Sequence, residues 1–296
     1  MRMGAGRRLD IRTVARLATV RISRSAGSTG WHAMSETSPA PRGQHVKSLS
    51  RSTLVMRVLA DKPMRPADLS RELDKPWATI YRAVRVLTDE GMLQRDPDTG
   101  EYSVGPMMWA MATSYIRDHP VLGIGLGHLE QALPHVPGLL KVTERSGFNA
   151  VTLFAEQNPQ AAAVTRIREQ YRLPLHCASF GIVLLAHAPA DFVEGYLARP
   201  LVAVSPRTIT DPTALRKRLA EVREQGYAAS RAELQDDNGS LSVPIRRKDG
   251  SVAAALTSVL PLPVLDDADG QAVQLKTLSE TAGRISEALG WRGAYG

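Results

Sequence analysis

The stretch PADLSRELDKPWATIYRAVRVLTDEGMLQRDPDTGEYSV, residues 66–104, contains short elements in an order that few folds share. Pro66 suits the first position of a helix, and the turn sequence Asp-Lys-Pro at 74–76 ends that helix. A second helix is predicted over residues 77–90 because its apolar residues recur at i, i+4 and i+7 and form one stripe. These residues are Ile80, Val84 and Leu87.

A hairpin follows this pair of helices. Gly91 can end the preceding helix in a left-handed conformation. Residues 93–95 and 102–104 read as strands joined by Asp-Pro-Asp-Thr-Gly, a strong turn sequence. Upstream, apolar residues at helical spacing predict a further helix from residue 48 to about residue 61. Three short helices and a hairpin predict a winged helix-turn-helix domain over residues 48–105.

The pattern changes downstream of this domain. Residues 106–120 form a Met- and Ala-rich linker helix, whose stripe at Met107, Met108 and Met111 is typical of a packing surface. From residue 121 to 290 strands and helices alternate, which predicts an α/β domain. Its clearest elements are strands at 148–155, 161–167 and 241–245, a helix at 212–225, a hairpin of 240–246 with 252–260, and a final amphipathic helix through Leu275, Leu278, Ile285 and Leu289.

The first 47 residues are predicted to be a disordered basic extension, rich in Ser, Gly, Pro and Arg. Residues 1–33 hold seven arginines against one acid, and the remaining chain carries 30 basic and 29 acidic residues. The net charge of +7 is therefore no argument for a DNA-binding fold. The opening is compatible with a transit peptide or a basic DNA-binding arm, but Met34-Ser-Glu-Thr-Ser-Pro also resembles an ordinary start that follows an upstream extension.

The totals limit the class of protein. A chain of 296 residues that is 43% hydrophobic suggests two domains. No stretch approaches the roughly 18 apolar residues of a membrane-spanning helix. A single cysteine, Cys177, cannot close an intrachain disulfide and fits a reducing compartment. We expect a soluble, cytoplasmic, nucleoid-associated protein.

The helix at 77–90 offers side chains suited to DNA on the face opposite its apolar stripe. An arginine can bind guanine O6 and N7 or a phosphate, hydroxyls can donate to phosphates, and an alanine methyl can contact thymine. The candidates are Ala78, Thr79, Tyr81, Arg82 and Arg85, with Arg95 and Thr99 on the hairpin. Residues 47–85 carry nine basic and four acidic side chains, whereas residues 86–101 carry one and five. This uneven distribution of charge predicts that a DNA duplex binds against the arginine-bearing face of the helix.

Several motifs together resemble the IclR family of bacterial transcriptional regulators. In the winged helix these are LSREL at 69–73, ATIYRAVRVL at 78–87, EGML at 90–93 and GEYSVG at 100–105. In the second domain these are LPLHCASFG at 173–181, GYA at 226–228, SVPI at 242–245 and AAAL at 253–256. The resemblance covers roughly residues 48–290. It implies a homodimer or dimer of dimers that binds an operator in double-stranded DNA, and a GAF-like effector-binding domain.

The resemblance also implies a pocket on one face of the effector-domain sheet for a small organic acid, which in this family is often aromatic. By family position the pocket residues are Ser179, Phe180, Ser230, Asn238, Ser240, Thr257 and Val259. The sequence departs from the family at Ser230, where an acid is common, and at Gly181-Ile182, where Gly-Lys is common. Neutral hydroxyls bind a carboxylate or a phenol and do not choose between them. A hydroxyl is also often satisfied by nearby backbone.

Three other motifs give little support for a cofactor site, a catalytic pair or a metal site. Gly123-Ile-Gly-Leu-Gly lacks the third glycine of a dinucleotide fingerprint. His176 and Cys177, if adjacent on a strand, point to opposite faces and give no catalytic pair. His128 and His135 lack a third metal ligand. We therefore expect no cofactor, no metal and no enzymatic activity. The alternative is a small-molecule enzyme whose winged helix serves only in dimerisation.

Overall fold

The structure is a computed structural model that describes residues 47–161, 172–234 and 238–293. The predicted extension at 1–47 lies outside these ranges except for Lys47, and the predicted strand at 161–167 lies outside them except for Ala161. The chain divides into two compact units between Asp118 and His119. No helix of the described ranges has the length and apolar character that a bilayer crossing needs.

The first unit is a winged helix-turn-helix followed by one long helix. Its elements are α1 (Lys47–Asp61), α2 (Pro66–Glu72), α3 (Trp77–Asp89), β1 (Leu93–Arg95), β2 (Tyr102–Val104) and α4 (Pro106–Asp118). Its core contains Val55, Leu59, Met64, Leu69, Leu73, Ile80, Val84, Leu87 and Leu93. Met64 exchanges two backbone hydrogen bonds with Tyr102, at 3.1 and 2.8 Å, so the segment before α2 extends the hairpin. This pairing fixes the hairpin beside the helices.

The start of the hairpin depends on glycine. Gly91 has φ +70°, the left-handed conformation expected after α3. Gly105 follows β2, where a Cβ atom would collide with the carbonyl oxygen of Gly91 and with the Leu93 backbone. The close approach of these two backbones brings the end of the hairpin against the end of α3.

The second unit is built on a six-stranded antiparallel sheet in the order β5-β4-β3-β8-β7-β6. The strands are β3 (Leu139–Ser146), β4 (Asn149–Gln157), β5 (Arg172–Pro174), β6 (Ala228–Arg231), β7 (Asn238–Arg246) and β8 (Val252–Pro261). The helices are α5 (Pro120–Ala132), α6 (Ser179–Ala186), α7 (Ala190–Leu197), α8 (Pro212–Gln225), α9 (Leu262–Asp266) and α10 (Ala268–Ala288), with a 3₁₀ turn at Leu133–His135.

The central strands are covered on both faces. Seven of the nine residues of β7 and seven of the ten residues of β8 are buried, as expected for strands packed between two helical layers. Helix α10 packs on β7 and on α5, while α6 packs on β7, β8 and α8. The two-domain α+β class, with a winged helix-turn-helix and a GAF-like α/β domain, is confirmed.

Two segments have a local structure that the sequence did not indicate. His176 and Cys177 do not lie on a strand but in the turn between β5 and α6, and both are buried. The glycine-rich segment at 123–127 lies inside α5, a helix that the sequence analysis did not predict. Pro120 and the His119 side chain, which accepts a hydrogen bond from the Leu122 amide, start that helix.

Candidate functional site

The helix α3 has one buried and one exposed face. Its three apolar-stripe residues are buried against α1 and α2. Of the five predicted DNA contacts on the other face, Ala78, Tyr81, Arg82 and Arg85 are exposed, and Thr79 is half-buried. The structure therefore brings these five side chains together on one accessible surface.

Neither arginine of this surface is held in a strong protein contact. Arg85 Nε lies 3.9 Å from Asp89 Oδ2, with the two side chains 74% and 69% exposed. Such an exposed pair contributes at most about 1 kcal/mol. Arg82 forms no ion pair with any residue in the described ranges. Both guanidinium groups are thus available to an external anion.

An aromatic pair at the start of α3 was missed by the sequence analysis. The Trp77 and Tyr81 rings stack with centroids 4.9 Å apart and planes 13° apart. Trp77 is 52% exposed, although a tryptophan side chain gains much free energy from burial. The i, i+4 spacing of two aromatic residues was the available signal. The stack orients the Tyr81 side chain on the predicted DNA-binding surface.

The hairpin loop is ordered by hydrogen bonds. The amides of Asp98 and Thr99 donate to Asp96 Oδ1 at 2.8 and 2.9 Å, and these bonds lower the pKa of Asp96. Arg65 Nε donates to the Thr99 carbonyl oxygen at 2.9 Å, which joins the loop to the start of α2. The predicted contacts Arg95 and Thr99 are both exposed on this wing.

In the second unit, a chain of buried hydroxyls joins the sheet to the first residue of α6. Ser179 Oγ lies 2.6 Å from Ser240 Oγ and 2.7 Å from Ser242 Oγ. Ser242 Oγ in turn lies 2.9 Å from Thr257 Oγ1. Three members of this chain were predicted from the resemblance. Ser242 was missed, although it stands two residues after Ser240 and therefore on the same face of the strand.

The other predicted pocket residues on the sheet lie beside this hydroxyl chain in the strand register or in sequence. Ser230 is buried opposite Ser240 in the β6–β7 register and is hydrogen-bonded to Glu233, a carboxyl whose pKa is raised by burial. Val259 is half-buried and is the partner of Ser240 in the β7–β8 register. Asn238, at the start of β7, is half-buried.

A lysine that the sequence analysis did not single out lies in the same region. Lys141 is only 5% exposed, and its Nζ is 4.1 Å from the centroid of the Phe180 ring. Burial lowers the pKa of Lys141 to about 8. Keeping this ammonium charged at neutral pH costs the folded state roughly 3 kcal/mol. Lys141 forms no ion pair or hydrogen bond with the parts of the chain described above.

The two residues considered for catalysis are structural in this turn. Burial raises the pKa of the Cys177 thiol to about 12, which leaves it protonated and unreactive. His176 Nδ1 lies 2.7 Å from Tyr196 Oη, and its Nε2 lies 3.0 Å from the Val202 carbonyl oxygen. Both ring nitrogens of this buried histidine are therefore engaged in holding the turn.

Two family descriptions match most of the chain. Residues 48–97 match the IclR helix-turn-helix domain, and residues 141–287 match the bacterial transcriptional regulator IclR C-terminal domain. The HTH-type transcriptional repressor AllR of Klebsiella pneumoniae is 28% identical and aligns with 76% of this chain and 82% of its own length. The DNA-binding transcriptional repressor YiaJ of Escherichia coli is 25% identical, with 87% and 92% covered.

Solved structures give the same result for the fold. An IclR homolog from Microbacterium hydrocarbonoxydans, complexed with 4-hydroxybenzoate, is 30% identical with a TM-score of 0.69 over 82% of this chain and 98% of that chain. An IclR transcriptional regulator from Alicyclobacillus acidocaldarius is 23% identical with a TM-score of 0.72, covering 83% and 100% of the two chains. The second likeness concerns the fold alone.

Proposed function

The chain belongs to the IclR family of bacterial transcriptional regulators, and from this premise we propose that it is a ligand-responsive repressor of a catabolic operon. It acts in the cytoplasm and is not an enzyme. The observation that carries the proposal is the exposed arginine face of α3, which is anchored from behind by a buried apolar stripe. In a helix-turn-helix this second helix of the motif enters the major groove.

The operator is proposed to be palindromic and bound by a dimer. Two copies of α3 would then contact half-sites about one helical turn, or a multiple of it, apart. Helix α4 is a suitable dimer contact because it has no fully buried residue and exposes large apolar side chains. These are Met107, Trp109, Met111 and Tyr115. Burying such a surface against a second copy would remove it from water.

The effector is proposed to be a small organic acid, with an aromatic acid as the first candidate. The related Microbacterium structure contains 4-hydroxybenzoate, and a further relative is the Pca regulon regulatory protein of Pseudomonas putida, 26% identical over 71% of this chain. The pocket would be formed by the hydroxyl chain, with Phe180, Ser230, Asn238 and Val259 around it. A ligand changes operator occupancy only if it binds the DNA-competent and incompetent dimers unequally.

Footprinting of the DNA upstream of the gene that encodes this protein tests the proposal. We expect protection of two half-sites, and an affinity that falls about a thousandfold or more between 50 and 200 mM salt if six or more phosphates are contacted. An added effector should change the protection. Failure to protect this DNA, together with a flat salt dependence on any duplex, would contradict the proposal.

A further inference from the structure

We propose that Lys141 binds the carboxylate of the effector, so that the second unit recognises an organic anion and rejects its neutral analogues. This inference rests on the proposed ligand-sensing function and specifies the chemistry of the ligand. The hydroxyls alone leave a carboxylate and a phenol equally acceptable. A buried cation beside them removes that ambiguity.

The register of the sheet places Lys141 next to the hydroxyl chain. Lys141 on β3 is the Cα partner of Thr257 on β8, and Thr257 is the partner of Ser242 on β7. Residues directly opposite each other on neighbouring strands point to the same face, with Cβ atoms about 5 Å apart. An ammonium group and two hydroxyls therefore stand in one row across three central strands. Ser179 closes this row from α6 by its bond to Ser242.

The charge of Lys141 lacks a counter-ion among the described residues. Its identified partner is the Phe180 ring, a contact that stabilises a cation but does not neutralise it. The four hydroxyls of the chain are engaged with one another. A buried charge without a paired anion is costly, and a bound carboxylate would offset that cost.

The start of α6 reinforces the same preference. Phe180 is the second residue of this eight-residue helix, and Ala178 at its N-cap has no side chain that could bond the first amides. These amides and the positive end of the helix dipole favour an anion. They also disfavour a cation, so an anion bound nearby would stabilise the charged form of Lys141 close to Phe180. A carboxylate between them would satisfy both.

The groups facing Lys141 predict how binding depends on pH. The Cys177 thiol, from the turn before α6, stays protonated far above neutrality because burial raises its pKa to about 12. Glu233 is hydrogen-bonded to Ser230, and within the described residues it forms no ion pair with Lys141. Lys141 is then the group that titrates near pH 8. A carboxylate should bind with constant affinity below this pH and about tenfold more weakly for each pH unit above it.

The experiment compares acids with their amides on the full-length protein. Thermal stability is measured with acetate, benzoate and 4-hydroxybenzoate, and with the matching amides, for the wild type, Lys141→Met and Lys141→Arg. Lys217→Met, at an exposed position of α8, is the matched control. At least one carboxylate should raise the wild-type Tm while its amide does not. Lys141→Met should lose this shift, and Lys141→Arg should retain part of it.

Because Lys141→Met removes a buried charge, the Tm of this variant without ligand at pH 7 should equal or exceed that of the wild type. Unfolding of the variant would then not explain the loss of its ligand-induced Tm shift. The wild-type pH profile, with affinity falling above about pH 8, tests the idea without any variant. Equal shifts from acid and amide, an undiminished shift in Lys141→Met, or no shift from any of the carboxylates would overturn it. Footprinting of the same preparations separates this failure from failure of the DNA-binding proposal.

Discussion

The double variant Arg82→Ala with Arg85→Ala is expected to bind the operator about a hundredfold or more weakly than the wild type. Each bidentate arginine contact to guanine contributes roughly 1–3 kcal/mol of discrimination, so the loss of two such contacts reaches this range. Both side chains lie on the exposed face of α3, and the Arg85 ion pair is long and solvent-exposed. The fold should therefore be unaffected. Fluorescence anisotropy with a labelled operator measures the change.

A matched control removes two exposed arginines of the second unit, Arg216 and Arg284, whose ion pairs are also at the surface. This control lowers the net charge by the same amount, so a general electrostatic effect would weaken both double variants equally. Operator affinity unchanged in the α3 variant would remove this helix from the interface. The single variants distinguish two roles: loss of a base contact relaxes specificity at one position, whereas loss of a phosphate contact weakens all sequences alike.

Gly181→Ala is expected to destabilise the second unit by about 3 kcal/mol or more, because overpacking against backbone cannot be relieved by rotating a side chain. A Cβ atom on Gly181 would collide with the carbonyl oxygen of Leu175. Either the turn before α6 or the helix itself must shift. Because Ser179 and Phe180 are the first residues of that helix, the effector response should be lost along with stability. Chemical unfolding followed by circular dichroism measures the loss.

Gly195→Ala is the matched control, since Gly195 lies in the neighbouring helix α7, where an added Cβ would have no neighbour within 4 Å apart from the nearby backbone of its own helix. Alanine at an open helical position is expected to stabilise the protein by up to about 1 kcal/mol. A loss of stability at Gly195 as large as that at Gly181 would mean that the collision with Leu175 is not the cause of the Gly181 effect.

The winged helix could be predicted because each of its signals is local. A proline at a helix start, an apolar stripe at i, i+4 and i+7, and a turn sequence all operate within a few residues of one another. Helix α6 could not be predicted in this way. All eight of its residues are buried, so its sequence shows no polar face and no helical period. Helix α5 was not predicted because it contains three glycines, which lower helix propensity.

The proposed ligand site depends on contacts between residues far apart in the chain. Ser179 is 61 residues from Ser240 and 63 from Ser242, and no local pattern predicts that these hydroxyls meet. Resemblance to a family supplied three members of the hydroxyl chain. Lys141 was not predicted, because a lysine in a strand is usually exposed. Its burial results from the sheet register and from the position of α6, which the local sequence does not show.

Site-directed DNA cleavage tests most directly whether the exposed face of α3 lies against the duplex. Val86, 53% exposed at the edge of that face, is replaced by cysteine and labelled with an iron chelate. The buried native Cys177 should resist labelling. Val273→Cys on α10, where the valine is 60% exposed, is the control. We expect strand cuts from the Val86 label inside each protected half-site and none from the control. Full protection of the operator without cuts from the Val86 label would contradict it.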